Sequence, residues 1–141
     1  MTEHTIKLTL DPDKDAVTRL ASQLIAYNRS QVFEGAPRNL LFSIENVEGE
    51  LMAGLSGHIY YSWLFVELLW VAESVRKCGY GTRLLRQAEE YAREHGCHAV
   101  WLDTFSFQAR GFYEKLGYTV FGELPEYPGE HCRYFLWKKL I

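Results

Sequence analysis

No stretch of this sequence is long and apolar enough to cross a bilayer as a helix. The longest nearly uncharged run, Ile59 to Ala72, is interrupted by Glu67 and falls short of the roughly 20 apolar residues that a span requires. The opening residues, Met1-Thr2-Glu3-His4, lack the basic-then-apolar order of a secretion signal. Basic residues never run longer than two, and the net charge is −3. The concentrated positive footprint of a nonspecific nucleic-acid binder is therefore missing. Cysteine is scarce: Cys78, Cys97 and Cys132 are odd in number and show no metal-ligand spacing. They read as reduced thiols of a cytoplasmic protein without a metal site, not as a disulfide framework. No repeat, low-complexity stretch or linker divides the 141 residues, which fit one domain.

What is present is an ordinary globular composition, 48% hydrophobic, 23% charged and 15% aromatic, which excludes disorder and collagen-like structure. Residues 5–10 alternate as a short strand would. Asp11-Pro12-Asp13 then offers an N-cap, a proline and an early acid, a helix start. Val17, Leu20, Ala21, Leu24 and Ile25 follow at helical spacing to about Asn28. After a loop holding Gly35 and Pro37, Leu40–Asn46 and Glu50–Tyr61 flank Val47-Glu48-Gly49 as an antiparallel hairpin. Trp63–Val71 is apolar on both faces, the pattern of a strand covered on both sides. Residues 79–95 switch to helical period and stop at Gly96, and Ala99–Phe105 restores a strand. Strand, helix and strand of these lengths imply a right-handed crossover and parallel pairing. A short helix over Gln108–Leu116 and two strands, about 118–124 and 132–139, complete a mixed α/β order.

The most informative segment is Val71-Ala72-Glu73-Ser74-Val75-Arg76-Lys77-Cys78-Gly79-Tyr80-Gly81-Thr82, which leaves the apolar strand and opens a helix. Glycines let the backbone turn sharply and approach a ligand. The first helical turn presents unpaired N–H groups and a positive dipole end to an anion. Arg76 and Lys77 add charge at the same place. The segment reads either as a phosphate or pyrophosphate cradle or as a plain glycine-assisted turn with solvated basic residues. A Gly-x4-Gly-Lys-Ser/Thr phosphate loop is absent. The Gly-x-Gly-x-x-Gly of a dinucleotide fold fails as well, because Leu84 stands where its last glycine belongs.

Arg76-x-x-Gly79-x-Gly81 after an apolar strand resembles the acyl-CoA pyrophosphate loop of the GCN5-related N-acetyltransferase superfamily. Gly111-Phe112-Tyr113-Glu114-Lys115-Leu116-Gly117-Tyr118 resembles that superfamily's second signature, at a similar interval. The resemblance covers nearly the whole chain in element order. It implies a twisted mixed sheet splayed between Trp63–Val71 and Ala99–Phe105. Acetyl-CoA would be the acyl donor, its pantetheine arm bonding backbone around Leu69, Trp70 and Val71, with Phe112 beside it. Its pyrophosphate would lie on the amides of Arg76, Lys77, Cys78, Gly79, Tyr80, Gly81 and Thr82. Two departures stand out. The pantetheine-contacting Asn of many relatives is absent from Thr104-Phe105-Ser106-Phe107-Gln108, where Ser106 or Gln108 is a substitute. Glu73 occupies the place of a proline common after the strand.

Acetyl transfer to an amine needs a neutral nucleophile, a stabilised oxyanion and a protonated leaving thiolate. Tyr113 is the acid candidate by resemblance; on its residue type alone it equally suits a core aromatic with a bonded hydroxyl. Glu67 is the base candidate, the only charge between Trp63 and Ala72. Strand alternation places it on the face of Leu69 and Val71. Burial there would raise its pKa, and a structural pairing with a buried base is the competing reading. His58, Cys78, Arg110, Lys115 and the aromatics Tyr60, Tyr61, Trp63, Phe65 and Trp70 are weaker candidates. The expected activity is direct transfer to a primary amine, a small molecule rather than a protein. Neither nucleic acid nor membrane is expected as a partner; a homodimer is allowed by the resemblance. The rival function is a non-catalytic acyl-CoA-binding or sensing module on the same fold.

Overall fold

The computed structural model describes residues 3–33 and 35–141. They fall into two compact units, one up to Gly35 and one from Ala36 to Ile141. The first unit is one helix, α1 (Lys14–Gln31). Its N-cap is Asp13, whose carboxylate accepts from the Ala16 N–H at 2.8 Å. The sequence pointed to Asp11 as cap, but that residue sits at φ 49° and the helix starts after Pro12 and Asp13. Residues 5–10 form no strand. Alternation alone does not make one, because a strand needs a ladder partner, and this unit contains no second strand. The helix also runs past Asn28 to Gln31.

The second unit is a six-stranded mixed sheet with two helices. Its strands are β1 (Arg38–Glu45), β2 (Leu51–Tyr60), β3 (Trp63–Val71), β4 (Ala99–Phe105), β5 (Thr119–Leu124) and β6 (Arg133–Lys139), and its helices are α2 (Tyr80–Glu94) and α3 (Arg110–Lys115). The order across the sheet is β1-β2-β3-β4-β6-β5. Only β3 and β4 run parallel, joined through α2 as the crossover argument required. The buried stripe of α2, Leu84, Leu85, Ala88 and Ala92, packs with Ala53, Leu55, Leu64, Val66, Val100, Leu102 and Leu136 into one core. Glu89 is buried on the same stripe. It survives there because Tyr118 donates to one carboxylate oxygen at 2.6 Å and Lys138 to the other at 3.0 Å.

Strand β3 departs from the expected two-sided burial. Leu64 and Val66 are buried, but Leu68 is 65% and Trp70 49% exposed, while Leu69 and Val71 turn to the core. The phase of alternation therefore flips between Val66 and Leu69. The cause is a β-bulge: Leu68 pairs with Ser56 and Val66 with Gly57, leaving Glu67 without a partner. Gly57 makes the bulge sterically possible, since a Cβ there would lie 2.1 Å from the Phe65 carbonyl oxygen. That oxygen is backbone and cannot swing aside. Gly57→Ala should cost about 1–3 kcal/mol, the range for forced overpacking, measured by urea denaturation. Unaltered stability would show that the bulge does not depend on the glycine.

Candidate active site

The bulge marks the place where the sheet opens. Strands β3 and β4 are in register from Trp63–Ala99 to Val66–Leu102 and no further. Beyond that rung β3 stays paired with β2 up to Val71–Ala53, and β4 with β6 up to Phe105–Arg133. The facing edges diverge into a fork, and the cleft between them has a volume of about 870 Å³. Glu67 and Asp103, each the first residue past the last rung, line its two lips.

The glycine segment closes one end. The Ala72 N–H bonds the Met52 carbonyl at 2.8 Å, and one 3-10 turn over Glu73–Val75 carries the chain away from the sheet. Gly79, at φ 80°, is the N-cap of α2, and no side chain caps that end. The left-handed conformation suits glycine, and the uncapped first turn leaves amide donors for an anion. Arg76 donates to the Val71 carbonyl at 3.2 Å, tying the loop to the strand end. A Cβ on Gly81 would meet the Phe112 ring at 3.3 Å, so this glycine also lets α3 lean on the start of α2.

Tyr113 projects from α3 between the rings of Phe112 and Tyr118, at 5.1 and 5.8 Å. The residue is only 7% exposed, yet it lines the cleft. Burial, with the negative charge of Asp103 adding to it, pushes its hydroxyl up to about 12. It thus stays protonated at neutral pH and can serve as a donor. Gln108 also lines the cleft. Its side-chain oxygen accepts from the Phe105 N–H at 2.8 Å and the Thr104 hydroxyl at 3.1 Å, which leaves the NH₂ end for a ligand. Ser106 instead accepts from the Cys132 N–H at 3.1 Å and is not part of the lining. Of these two, Gln108 is therefore the one that faces the cleft.

Of the two catalytic candidates and the residues expected to contact acetyl-CoA, all but Cys78 line this one cleft; Cys78 is exposed in the loop, and of the weaker candidates Trp70 alone joins the lining. Glu67 is exposed and not buried, because the bulge lifts it out of the ladder, so the desolvation argument made from the sequence does not apply to it. His58 packs edge-on to Phe65 at 5.3 Å, outside the lining. Trp63 stacks on Trp137, and Phe65 on Trp101. Arg110 is bound to Glu114 at 3.1 Å and sits over Tyr134. The sequence reading missed Asp103. Its signal was the single charge in a mostly apolar strand, as for Glu67. Arg133 holds it, with Nε and a terminal nitrogen both at 2.9 Å.

Among the described residues no group of acidic, histidine or cysteine side chains could hold a metal, and no helix is long and apolar enough to cross a membrane. The profile of the Acetyltransferase (GNAT) family matches residues 8–118. Blasticidin-S acetyltransferase of Streptomyces morookaense is 40% identical over 119 residues, 83% of this chain and 88% of that protein. An acetyltransferase of Agrobacterium fabrum is 38% identical over 79% of this chain and 82% of its own length. The crystal structure of an acetyltransferase from Bacillus cereus superposes with a TM-score of 0.86 at 34% identity, covering 94% of this chain and 97% of that one. A forked mixed sheet, a glycine-loop helix start and these relatives agree: the chain belongs to the GNAT family of acetyltransferases.

Proposed function

We propose that the protein moves an acetyl group from acetyl-CoA to the primary amine of a small molecule, by direct attack within a ternary complex. The observation that carries this reading is the fork, a cleft of about 870 Å³ with an anion-ready helix start at one end and Glu67, Asp103 and Tyr113 among its walls. Residues 1–141 act as one functional domain in this reading, since the family match begins at residue 8, within the helical unit.

The residues present fit acetyl-CoA as a co-substrate. The free amides of the first turn of α2, with Arg76 and Lys77, suit its phosphates. The unpaired edge of β3 from Leu68 to Val71 offers backbone groups to the amides of the pantetheine arm, and the NH₂ of Gln108 offers another donor. An alkylamine arrives as an ammonium, its pKa near that of lysine, about 10.4. Glu67, at the base of the fork, takes the proton directly or through water. The amine nitrogen then bonds to the acyl carbon to give a tetrahedral adduct, the nitrogen's extra proton passes to solvent, and the carbon–sulfur bond breaks. Tyr113 gives its proton to the departing sulfur and regains one from solvent. A hydroxyl with a pKa of about 12 is a weak acid, and a thiolate with a pKa of about 8.5 leaves tolerably unaided. The help from Tyr113 is therefore modest.

The reading is tested by following free CoA when the protein meets acetyl-CoA and a panel of amines: polyamines, aminoglycosides, amino acids, peptides and blasticidin S, chosen because of the relative named above. Release with a small-molecule amine is expected. Binding of acetyl-CoA without release to any amine would instead favour a sensing module.

Glu67→Gln should keep acetyl-CoA affinity and lower turnover roughly 10²–10⁴-fold, the scale of a lost general base. The acidic limb of the pH–rate profile should move or vanish. Survival of both turnover and that limb would leave Glu67 no catalytic role. Tyr113→Phe should lower turnover by about tenfold to a few hundredfold, at or below the lower part of the roughly 10²–10⁴-fold range for acid catalysis, with acetyl-CoA affinity little changed. The raised pKa adds a stability signature with a definite sign. The neutral hydroxyl is favoured in the fold, so its contribution is complete below pH about 10 and is lost as pH rises toward about 12. Alkaline unfolding of Tyr113→Phe should lack that component. Full turnover in the variant under chemistry-limited conditions would remove Tyr113 from the mechanism.

A further inference from the structure

Three aromatic rings stand parallel beside the fork. Phe105, at the end of β4, stacks on Phe107 with centroids 5.3 Å apart and planes 7° apart. It also stacks on Tyr127, from the connection between β5 and β6, at 6.0 Å and 9°. Arg133 fixes the assembly. Its guanidinium lies 5.5 Å from the centre of Phe105 and 5.3 Å from that of Tyr127. It donates to the Tyr127 hydroxyl at 3.2 Å and is anchored on Asp103. His131 meets Phe107 edge-on at 5.0 Å.

Phe107 remains 56% exposed, although its orientation is held on one side by Phe105 and on another by His131. What sets this ring apart from other exposed apolar side chains is its place: a fixed orientation in the wall of the cleft. Phe107 lines the same cleft as Glu67 and Asp103. It also lies on the β4 lip, across from the strand edge assigned to the pantetheine arm. From Phe107 the row leads by way of Phe105 to the β5–β6 connection, which carries Glu126 and Glu130.

Resting on the acetyl-transfer reading of this cleft, we infer that Phe107 is the specificity platform for the acceptor, and that the acceptor is a cationic amine bearing a flat conjugated ring. The ring stacks on Phe107, extending the row by one member, while the ammonium is drawn to the Glu67 carboxylate at the base of the fork, Asp103 being engaged by Arg133. An offset or edge-on aromatic partner adds about 0.5–1.5 kcal/mol beyond simple burial, which corresponds to roughly twofold to twelvefold in affinity. A saturated ring of the same size and charge gains the burial but not the stacking.

Benzylamine and cyclohexylmethylamine form the matched pair for the test, with initial rates of CoA release measured on the full chain. Wild type should prefer benzylamine in kcat/KM by about threefold to tenfold. Phe107→Leu should collapse that ratio toward one through KM for benzylamine, with KM for acetyl-CoA unmoved, and Phe107→Tyr should restore it. No preference in wild type, a preference that survives Phe107→Leu, or an effect of that variant on acetyl-CoA KM instead would each overturn the platform. Ligand-observed NMR of the same two amines separates this inference from the acetyl-transfer reading. Selective benzylamine binding that disappears in Phe107→Leu upholds the platform even if no amine releases CoA. Equal binding of the two amines overturns it even if both are acetylated.

Discussion

Four paired positions join β3 to β4, and the fifth is missing. Everything that distinguishes this sheet from a closed one follows from that loss of register. The bulge at Glu67 turns β3 away from its parallel neighbour just as β4 continues along β6. Two strand edges are then left without a ladder partner; Arg76 takes up the Val71 carbonyl and Gln108 the Phe105 N–H, and any donors and acceptors left over need water or a ligand. The same bulge flips the side-chain phase, so Leu69 and Val71 serve the core while Leu68 and Trp70 face outward. Gly57 stands opposite, where no Cβ fits. A single glycine on one strand thus fixes the geometry of the cleft beside the next.

Two buried tyrosines, five residues apart, show how partners decide chemistry. Burial disfavours ionisation of both hydroxyls. Tyr118 is bound to Glu89, which Lys138 also engages, so its hydroxyl is committed to joining α2 to the far strands. Tyr113 lies against the ring of Tyr118 and lines the cleft. The pairing of the first tyrosine therefore helps hold the second in place. Asp103 does similar double duty: it contributes negative charge near Tyr113 and anchors Arg133, which orders the aromatic row.

Local features were legible in the sequence. The bounds of β3, the hairpin before it, the glycine-opened α2 and the short α3 all depend on neighbours in the chain, and periodicity or a glycine records them. Features that depend on distant pairing were not. The strand expected at residues 5–10 has the right alternation but no ladder partner. The bulge at Glu67 is a property of β3 against β2, so strand alternation read through it as though the phase continued. Glu89 sits on an apolar helix stripe and looks like an error until Tyr118 and Lys138 arrive from elsewhere. Glu67 and Asp103 each appear as a lone charge on an apolar strand; that they share the two lips of one fork follows only from the parallel register.

The order of strands in the second half of the sheet also shapes how the chain can assemble. β6 separates β4 from β5, although β5 comes earlier in the sequence. β5 has no sheet partner other than β6, so it cannot join the sheet by itself. The two strands can meet as a hairpin and dock on β4 together, closing the long chain loop once for both. A truncation before Arg133 therefore removes two strands from the sheet while deleting one. It also exposes the edge of β4 opposite the fork, where a second chain could pair. The residues that complete the sheet are the same ones that keep the edge of β4 opposite the fork from becoming a template for aggregation.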